Sequence, residues 1–189
     1  MDFRGEKRCN DTHQSATDPQ SVLYRKAQGK EAKLCFGGHV LMENRHGLCA
    51  DFTLHNPIAQ GEPVVALQQL DGQAPLHPGA NPKTVGADKG YHQKAFVAGC
   101  RERGVAPHVA CKEGVQVPGL DKRTTGRSGC QTSQRIRKRV EEIFGWMKTV
   151  GGLRRSRYCG IERTQAWGYF VAGTYNLLRM ARLDGVKAA

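Results

Sequence analysis

Residues 83–111 read KTVGADKGYHQKAFVAGCRERGVAPHVAC, and this stretch decides the fold class. Its spacing of apolar residues predicts a strand at 84–87, a helix at 91–103 and a second strand at 106–111. Gly104 follows the last helical position, where a glycine commonly ends a helix. Because a strand–helix–strand unit usually places its two strands in parallel, the stretch predicts an α/β domain.

The preceding part of the chain predicts a β-hairpin and a short helix. Two apolar runs at 33–42 and 48–55 flank a turn-like segment at 44–47, as in a hairpin. Residues 61–70 have the composition of a short helix, and the glycine- and proline-rich residues 71–82 are predicted to be a linker.

The N-terminal segment, residues 1–32, is polar and rich in turn formers, so it is predicted to be irregular. Residues 33–189 are then predicted to form one domain of ordinary size. Within that domain, residues 112–133 are predicted to be a polar loop, and residues 163–182 a final helix that belongs to the core.

The charge balance favours a polyanionic partner. Lysine and arginine number 29 against 17 aspartates and glutamates, which gives a net charge of +12. Nucleic acid is the first candidate for such a surface, although ribosomal and membrane-surface proteins share this basicity.

The cysteines and the hydropathy indicate the cellular compartment. Seven cysteines are scattered through the chain without a CxxC pair, which favours a reducing cytoplasm over a disulfide framework or a zinc site. No apolar run reaches the ~20 residues that cross a bilayer, and the N-terminus lacks a signal-peptide pattern. A cytoplasmic protein without a membrane partner is expected.

Residues 134–155, QRIRKRVEEIFGWMKTVGGLRR, predict one helix with three faces. The apolar face, expected to pack on the sheet, contains Ile136, Val140, Ile143, Phe144 and Met147. The outward face contains Arg135, Lys138, Arg139, Glu142 and Trp146. Between them lies a narrow stripe of Arg137, Glu141 and Lys148.

Periodicity alone leaves three interpretations of that stripe. Arg137 and Glu141 have the i,i+4 spacing of a surface ion pair, worth about 0.3 kcal/mol. The basic residues also suit contact with nucleic acid phosphates. In the third interpretation, Glu141 is an active-site carboxylate.

The spacing Arg137, three residues, Glu141, six residues, Lys148 resembles the C-terminal signature of bacterial insertion-sequence transposases of the DDE class, particularly the IS-five-like group. In GADKGY at 86–91, Asp88 matches that class's second catalytic aspartate, at the end of a strand. The resemblance continues through KEAKLCFGGHVLMENRHGL and the N-terminal DFRGEKR and TDPQSVLYRK.

This resemblance implies an RNase H-like fold, a mixed sheet with flanking helices. It implies three carboxylates that hold two Mg²⁺ or Mn²⁺ ions, with Asp88 and Glu141 as two of these catalytic metal ligands. The implied activity is DNA strand cleavage and transfer at insertion-sequence ends. The implied partner is double-stranded DNA, both the terminal repeats of the insertion sequence and the target DNA. The resemblance also implies association with further copies of the chain and a location at the bacterial nucleoid.

The resemblance also implies a set of DNA-binding residues. Arg137 and Lys148 are expected near the reacting strand. The remaining candidates are Lys138, Arg139, Trp146, Arg154 and Arg155. Trp146 suits either stacking on a base or packing within the protein.

Two positions near the matching motifs need a separate prediction. A tyrosine often opens the helix motif, and its replacement by Gln134 is expected to matter little. His92 is expected at the surface, at the start of its helix.

No residue before Lys33 fits the family's first catalytic aspartate on its apolar strand, since Asp2, Asp11 and Asp18 have polar, turn-like neighbours. The resemblance therefore implies an N-terminally truncated transposase that lacks its first strand and is catalytically incomplete alone. The alternatives are a non-catalytic basic DNA-binding protein and the product of a decayed element.

Overall fold

The computed structural model describes residues 9–76, 79 and 81–185. The DFRGEKR segment that resembles the family lies outside the described residues. The strands within the described residues are β1 (Val22–Tyr24), β2 (Lys33–Cys35), β3 (Gly37–Met42), β4 (Cys49–His55), β5 (Thr84–Ala87) and β6 (Ala106–Val109).

The helices of the described residues are α1 (Glu62–Leu76), α2 (Lys94–Glu102), α3 (Lys122–Thr125), α4 (Ser128–Ile136), α5 (Val140–Thr149) and α6 (Ile161–Leu183). Two 3₁₀ turns accompany them: Lys89–Tyr91 precedes α2, and Arg137–Arg139 joins α4 to α5. The α/β class is confirmed.

The strands form three separate pairs. β1 pairs with β2 and β3 with β4, both antiparallel, whereas β5 and β6 are parallel. The parallel strand–helix–strand unit is therefore confirmed, and Gly104 ends its helical segment with φ of 69°.

Two predictions for the first third of the chain are wrong in part. The segment 1–32 is not wholly irregular, because β1 lies within it. The predicted strand at 33–42 is two strands, and its first part pairs with β1 instead of with β4. β1 has only three residues, Val22–Tyr24, which is too short a run to show a period of two.

Two predicted loops contain helix. The prediction that residues 71–82 are a linker is wrong up to Leu76, because α1 continues that far. Leu70 and Gln73 each expose only 5% of their surface, so packing extends the helix beyond its local signal. The predicted loop 112–133 contains α3 and the start of α4.

Two apolar clusters form the core. The first lies around β5, β6, α1 and α2, and its fully buried side chains include Phe96, Val97 and Cys100. The second lies between β4, α5 and α6, and includes Phe52, Ile143 and Met147.

Two helical segments bridge these clusters. The α1 helix contacts α2 as well as β3 and β4. The segment α4–α5 contacts β5 and β6 through α4, and β3 and α6 through α5. The 3₁₀ turn at Arg137–Arg139 marks the crossing from one cluster to the other.

The α6 helix confirms the predicted final helix, but only one of its faces belongs to the core. Val171 and Ala172 are buried, whereas Phe170 and Met180 expose 72% and 41% of their surfaces. The prediction of a core helix is therefore wrong for its outer face.

The N-terminus of α6 is held by the beginning of the chain. The backbone N–H groups of Gly160 and Ile161 donate to the side chains of Asp18, at 3.0 Å, and Gln20, at 2.7 Å. Helix starts leave N–H groups without intrahelical partners, and a carboxylate there also complements the helix dipole. Asp18 thus has a structural role at the N-terminus of α6.

Candidate active site

Asp88 directly follows the last residue of β5, at the carboxyl end of the parallel pair. Its side chain is exposed, and its Oδ1 accepts a hydrogen bond of 2.7 Å from the N–H of Gly90. This bond fixes the turn after the strand. In α/β folds, functional groups gather at this end of the strands.

Gln134 ties helix α4 to that strand end. Its Nε2 donates to the carbonyl of Ala87, at 3.0 Å, and to the carbonyl of His108 on β6. Its Oε1 accepts a hydrogen bond of 2.7 Å from Nε of Arg137. One amide therefore connects the ends of β5 and β6 to the turn that precedes α5. The expectation that this position matters little is wrong for the structure.

Close packing at Gly86 brings the helix against β5. A Cβ atom added there would lie 3.3 Å from the carbonyl oxygen of Ser133 and 3.5 Å from Cβ of Arg137. The first distance is tighter than ordinary van der Waals contact, so a larger residue would push α4 away from the strand. Gly86, which lies two residues before Asp88, thus allows Arg137 to pack close to β5.

Glu141 lies in the first turn of α5, four residues after Arg137, and its side chain is exposed. The i,i+4 ion pair with Arg137 is not among those of the described residues, because the guanidinium is turned to Gln134. Within that part of the chain the Glu141 carboxylate has neither a hydrogen bond nor an ion pair. The surface ion-pair interpretation is therefore not supported.

The apolar face predicted for this helix is confirmed. Ile143 and Met147 are almost fully buried, and Ile136, Val140 and Phe144 are half-buried. The prediction of a single helix from 134 onward needs two corrections: helix begins at Ser128, and a 3₁₀ turn interrupts it.

Lys148 is exposed, and its Nζ lies 5.4 Å from the centre of the Phe144 ring. This cation–π contact holds the lysine along the surface of α5. Four further basic candidates are also exposed: Lys138, Arg139, Arg154 and Arg155. The first two lie in the 3₁₀ turn and the others in the loop between α5 and α6.

Trp146 is half-buried, although it was predicted on the outward face. Its ring packs edge-on against Tyr175 of α6, with the centroids 5.6 Å apart. Beside this pair lies a small cavity of about 120 Å³, which Glu142, Arg179 and Arg182 also line. The structure shows the packing role of Trp146, while base stacking stays a prediction.

His92 is buried, with 4% of its surface exposed, so the prediction of a surface residue is wrong. Its Nδ1 accepts a hydrogen bond of 3.3 Å from the backbone N–H of Lys112. This contact connects the start of α2 to the loop after β6. His92, four residues after Asp88, therefore has a structural role in holding this loop.

The described residues do not form a complete metal-binding set. They contain no group of three or more histidine, cysteine, aspartate or glutamate side chains placed to hold one ion. Mg²⁺ usually keeps several waters and is bound through one or two carboxylates together with substrate phosphates, so two carboxylates can contribute to one ion. Asp88 and Glu141 are one fewer than the three carboxylates that the resemblance implies for a two-ion site.

A family model described as a transposase DDE domain matches residues 10–177, most of the chain. The chain belongs to this family. The match includes the Asp88 turn, the Gln134 contact and the helix with Glu141. No curated protein and no solved structure matches the chain.

Membership of the DDE transposase family confirms the resemblance at the level of the class. DNA is the partner that this family implies, and its members generally use divalent metals. None of the helices in the described part of the chain has the length and hydropathy of a membrane-spanning segment.

Sequence reasoning missed the role of Gln134 because a single amide carries no periodic signal. Its angle on the predicted helix, beside the stripe of Arg137, Glu141 and Lys148, gave no indication of the backbone groups that it contacts. Asp18 was missed for a similar reason, although a long helix that starts with Gly160 and Ile161 lacks a good capping side chain of its own.

Proposed function

We propose that the chain is the catalytic part of a DDE transposase of the IS-five-like group, which cleaves and transfers DNA strands at insertion-sequence ends. Asp88 and Glu141 are its catalytic carboxylates. The observation that carries this proposal is the exposed Glu141 side chain, which has no partner among the described residues. The preceding turn is joined through Gln134 to the strand end before Asp88.

DNA lies along the helix and loop that surround Glu141. Apart from the half-buried Arg137, the basic residues of this surface are exposed, and the chain carries a net charge of +12. Its members are Arg137, Lys138, Arg139, Lys148, Arg154 and Arg155, with Trp146 as a candidate for base contact. Lysine and arginine at phosphates supply affinity and a strong dependence on salt.

The architecture is RNase H-like with one strand missing from its centre. Among the described residues, neither β3 nor β5 pairs along its second edge. Both strands lie near the first core cluster, because Leu41 of β3 and Val85 of β5 pack against it. A strand between them would join the two pairs into one sheet in the order β4–β3–new strand–β5–β6.

That strand would carry the third carboxylate, so the described residues alone are catalytically incomplete. It comes from outside the described residues, either from an extension of this chain or from another subunit. Asp88, Glu141 and the third carboxylate would then hold Mg²⁺ or Mn²⁺, the oxygen-liganded ions that such a set suits.

The test is strand cleavage of the DNA that flanks the coding sequence, with Mg²⁺ or Mn²⁺. The chain is assayed alone and with an added polypeptide encoded immediately upstream. We expect cleavage only in the second case, and its loss in Asp88→Asn and Glu141→Gln. Glu142→Gln is the matched control, since Glu142 is the exposed neighbouring carboxylate in the same turn.

Each outcome decides between the candidate functions. Cleavage that survives both substitutions would disprove the assignment of the two carboxylates. Salt-dependent binding without cleavage under any condition would favour the alternative, a non-catalytic DNA-binding protein, which the incomplete ligand set also supports. Melting without a cooperative transition would favour the product of a decayed element.

A further inference from the structure

A row of seven exposed residues runs along the outer side of α6 and ends at Asp184, the residue that follows the helix. Phe170 and Leu177 expose 72% and 65% of their surfaces, and Met180 exposes 41%. The complete row, which we call the outer stripe, is Arg163, Ala166, Phe170, Gly173, Leu177, Met180 and Asp184. Large apolar side chains in one contiguous exposed row mark an interaction surface more often than isolated ones do.

The outer stripe is separate from the face that α6 uses inside the protein. On that inner face, Val171 and Ala172 are buried in the second core cluster. A Cβ atom added to Gly168 would collide with the ring of Phe52 on β4. The helix thus has an occupied inner face and, within the described residues, an uncovered outer one.

The spacing of the outer stripe is that of a helix–helix seam. Its residues follow one another by three and four positions in strict alternation, the 3.5-residue repeat of coiled coils. Gly173 lies at its centre, and a Cβ atom added there would meet nothing within 4 Å. A second helix can therefore approach the backbone closely at this point.

We propose that the outer stripe pairs with the same stripe of a second copy of this chain, with the two helices antiparallel. The stripe begins with the cation Arg163 and ends with the anion Asp184, and both are exposed. In an antiparallel pair, each Arg163 meets the Asp184 of the other copy. The same arrangement places Phe170 opposite Leu177, because the two pairs of positions have the same midpoint, between Gly173 and Thr174.

The parallel arrangement is unfavourable, because it brings the two Arg163 side chains together and the two Asp184 side chains together. The antiparallel pair has two-fold symmetry, so one patch serves both copies and the assembly closes as a dimer. Neither Arg163 nor Asp184 forms an ion pair within the described residues, so both charges are available for the partner.

The undescribed residues of the chain are a poor occupant of the stripe. Its 22 positions, 163–184, span roughly 32 Å at ~1.5 Å per residue. The longest undescribed stretch, residues 1–8, reaches at most about 28 Å when fully extended. It offers only Met1 and Phe3 as large apolar side chains.

The test is the mass of the full chain by sedimentation equilibrium, without DNA or metal, from about 1 to about 100 μM. We expect the mass to rise from that of the 20.8 kDa monomer towards twice that value. Leu177→Glu should weaken the dimer at least about tenfold. The matched control is Leu76→Glu on α1, since Leu76 is also a helical leucine and is 67% exposed.

A charge exchange tests the orientation. Arg163→Glu and Asp184→Arg should each weaken the dimer several-fold, and the double variant should recover the wild-type affinity. Recovery supports the antiparallel pair, while its failure disproves it. A monomer at every concentration, or a dimer that Leu177→Glu leaves unchanged, would overturn the proposal. Because no cleavage is measured, either result leaves the proposed function to be tested separately.

Discussion

The outer edge of β4 is bonded by side chains of α6, whereas the second edges of β3 and β5 pair with no strand among the described residues. Along β4, two amide side chains of α6 satisfy the backbone. Asn176 accepts from the N–H of Cys49 and donates to its carbonyl, each at 2.8 Å. Gln165 accepts from the N–H of Leu54, at 2.5 Å, and donates to the carbonyl of Phe52, at 2.8 Å.

The second edges of β3 and β5 pair with no strand in the described part of the chain. Side-chain amides reach single carbonyls on these two strands: Gln69 donates to that of His39, at 3.5 Å, and Gln134 to that of Ala87, at 3.0 Å. Exposed strand edges are sites for pairing with a further strand, and proteins usually block the edges that must stay single. The difference indicates that β4 ends the sheet. By contrast, β3 and β5 remain able to accept a strand, as our functional proposal requires.

The largest expected effect comes from opening the β4 edge. The double variant Gln165→Ala/Asn176→Ala leaves backbone groups of Cys49, Phe52 and Leu54 without partners, and Cys49 and Phe52 are buried. We expect it to lower the free energy of unfolding by about 2–4 kcal/mol, because an unsatisfied buried group costs about 1–3 kcal/mol. Urea denaturation measures this loss.

Gln131→Ala is the control for that variant. Gln131 is an exposed helical glutamine whose side chain has no hydrogen bond within the described residues, so the loss should stay within about 0.5 kcal/mol. If the double variant were as stable as this control, the amides would not close the edge. The contrast with β3 and β5 would then have no energetic basis.

A smaller effect is expected on the other side of the molecule, where Gln134 bridges strand ends. Gln134→Ala removes its bonds to the carbonyls of Ala87 and His108 and its bond from Arg137. We expect a loss of about 1–3 kcal/mol in the free energy of unfolding. Gln131→Ala, one turn earlier on the same helix, is again the control.

Gln134→Ala also distinguishes positioning from simple stability. If Gln134 positions Arg137 and the turn before Glu141, the variant should cleave less DNA than the wild type. The measurement is the cleavage assay with the added upstream polypeptide, under conditions where the variant remains folded. Unchanged cleavage at an unchanged fold would show that the bridge is structural only. It would leave the assignment of Asp88 and Glu141 intact.

Local patterns predicted much of the fold. Residues 84–109 were predicted as strand, helix and parallel strand because their apolar residues repeat within one element, and the structure confirms the order. The buried face of α5 was found in the same way, through Ile143 and Met147. Such periodicity reports which face of an element is buried.

Contacts between distant positions were not predictable. Gln165 and Asn176 lie more than 100 residues from their β4 partners, and Asp18 lies 142 residues from Gly160. A single polar side chain forms no periodic sequence pattern, so the sequence does not indicate which distant residue it contacts. Within the candidate site, the family motif identified Asp88 and Glu141, but the turn of Arg137 towards Gln134 depends on packing at Gly86.

The smallest of the three effects is a change in the free energy of unfolding with pH. It measures how far water reaches His39 on β3 through the unpaired edge of that strand. His39 on β3 is 8% exposed, and its Nε2 lies 3.1 Å from Nδ1 of His55. Burial, together with the neighbouring His55, lowers the pKa of His39 from 6.5 to about 4. The folded state thus favours neutral His39, and its contribution to stability is present above pH 6.5 and is lost as the pH falls towards 4.

Between pH 7 and pH 5, the wild type should therefore lose about 1–2 kcal/mol through His39, a value reduced to allow for partial solvent screening. His39→Gln should show a smaller loss over the same interval, measured by urea denaturation at each pH. Burial also lowers the pKa of His108, so part of the pH dependence should remain in the variant. His46→Gln is the control, because the side chain of His46 is 55% exposed. Equal pH dependence in His39→Gln and the wild type would mean that water enters beside β3, so that the uncovered edge leaves His39 solvated even without a further strand.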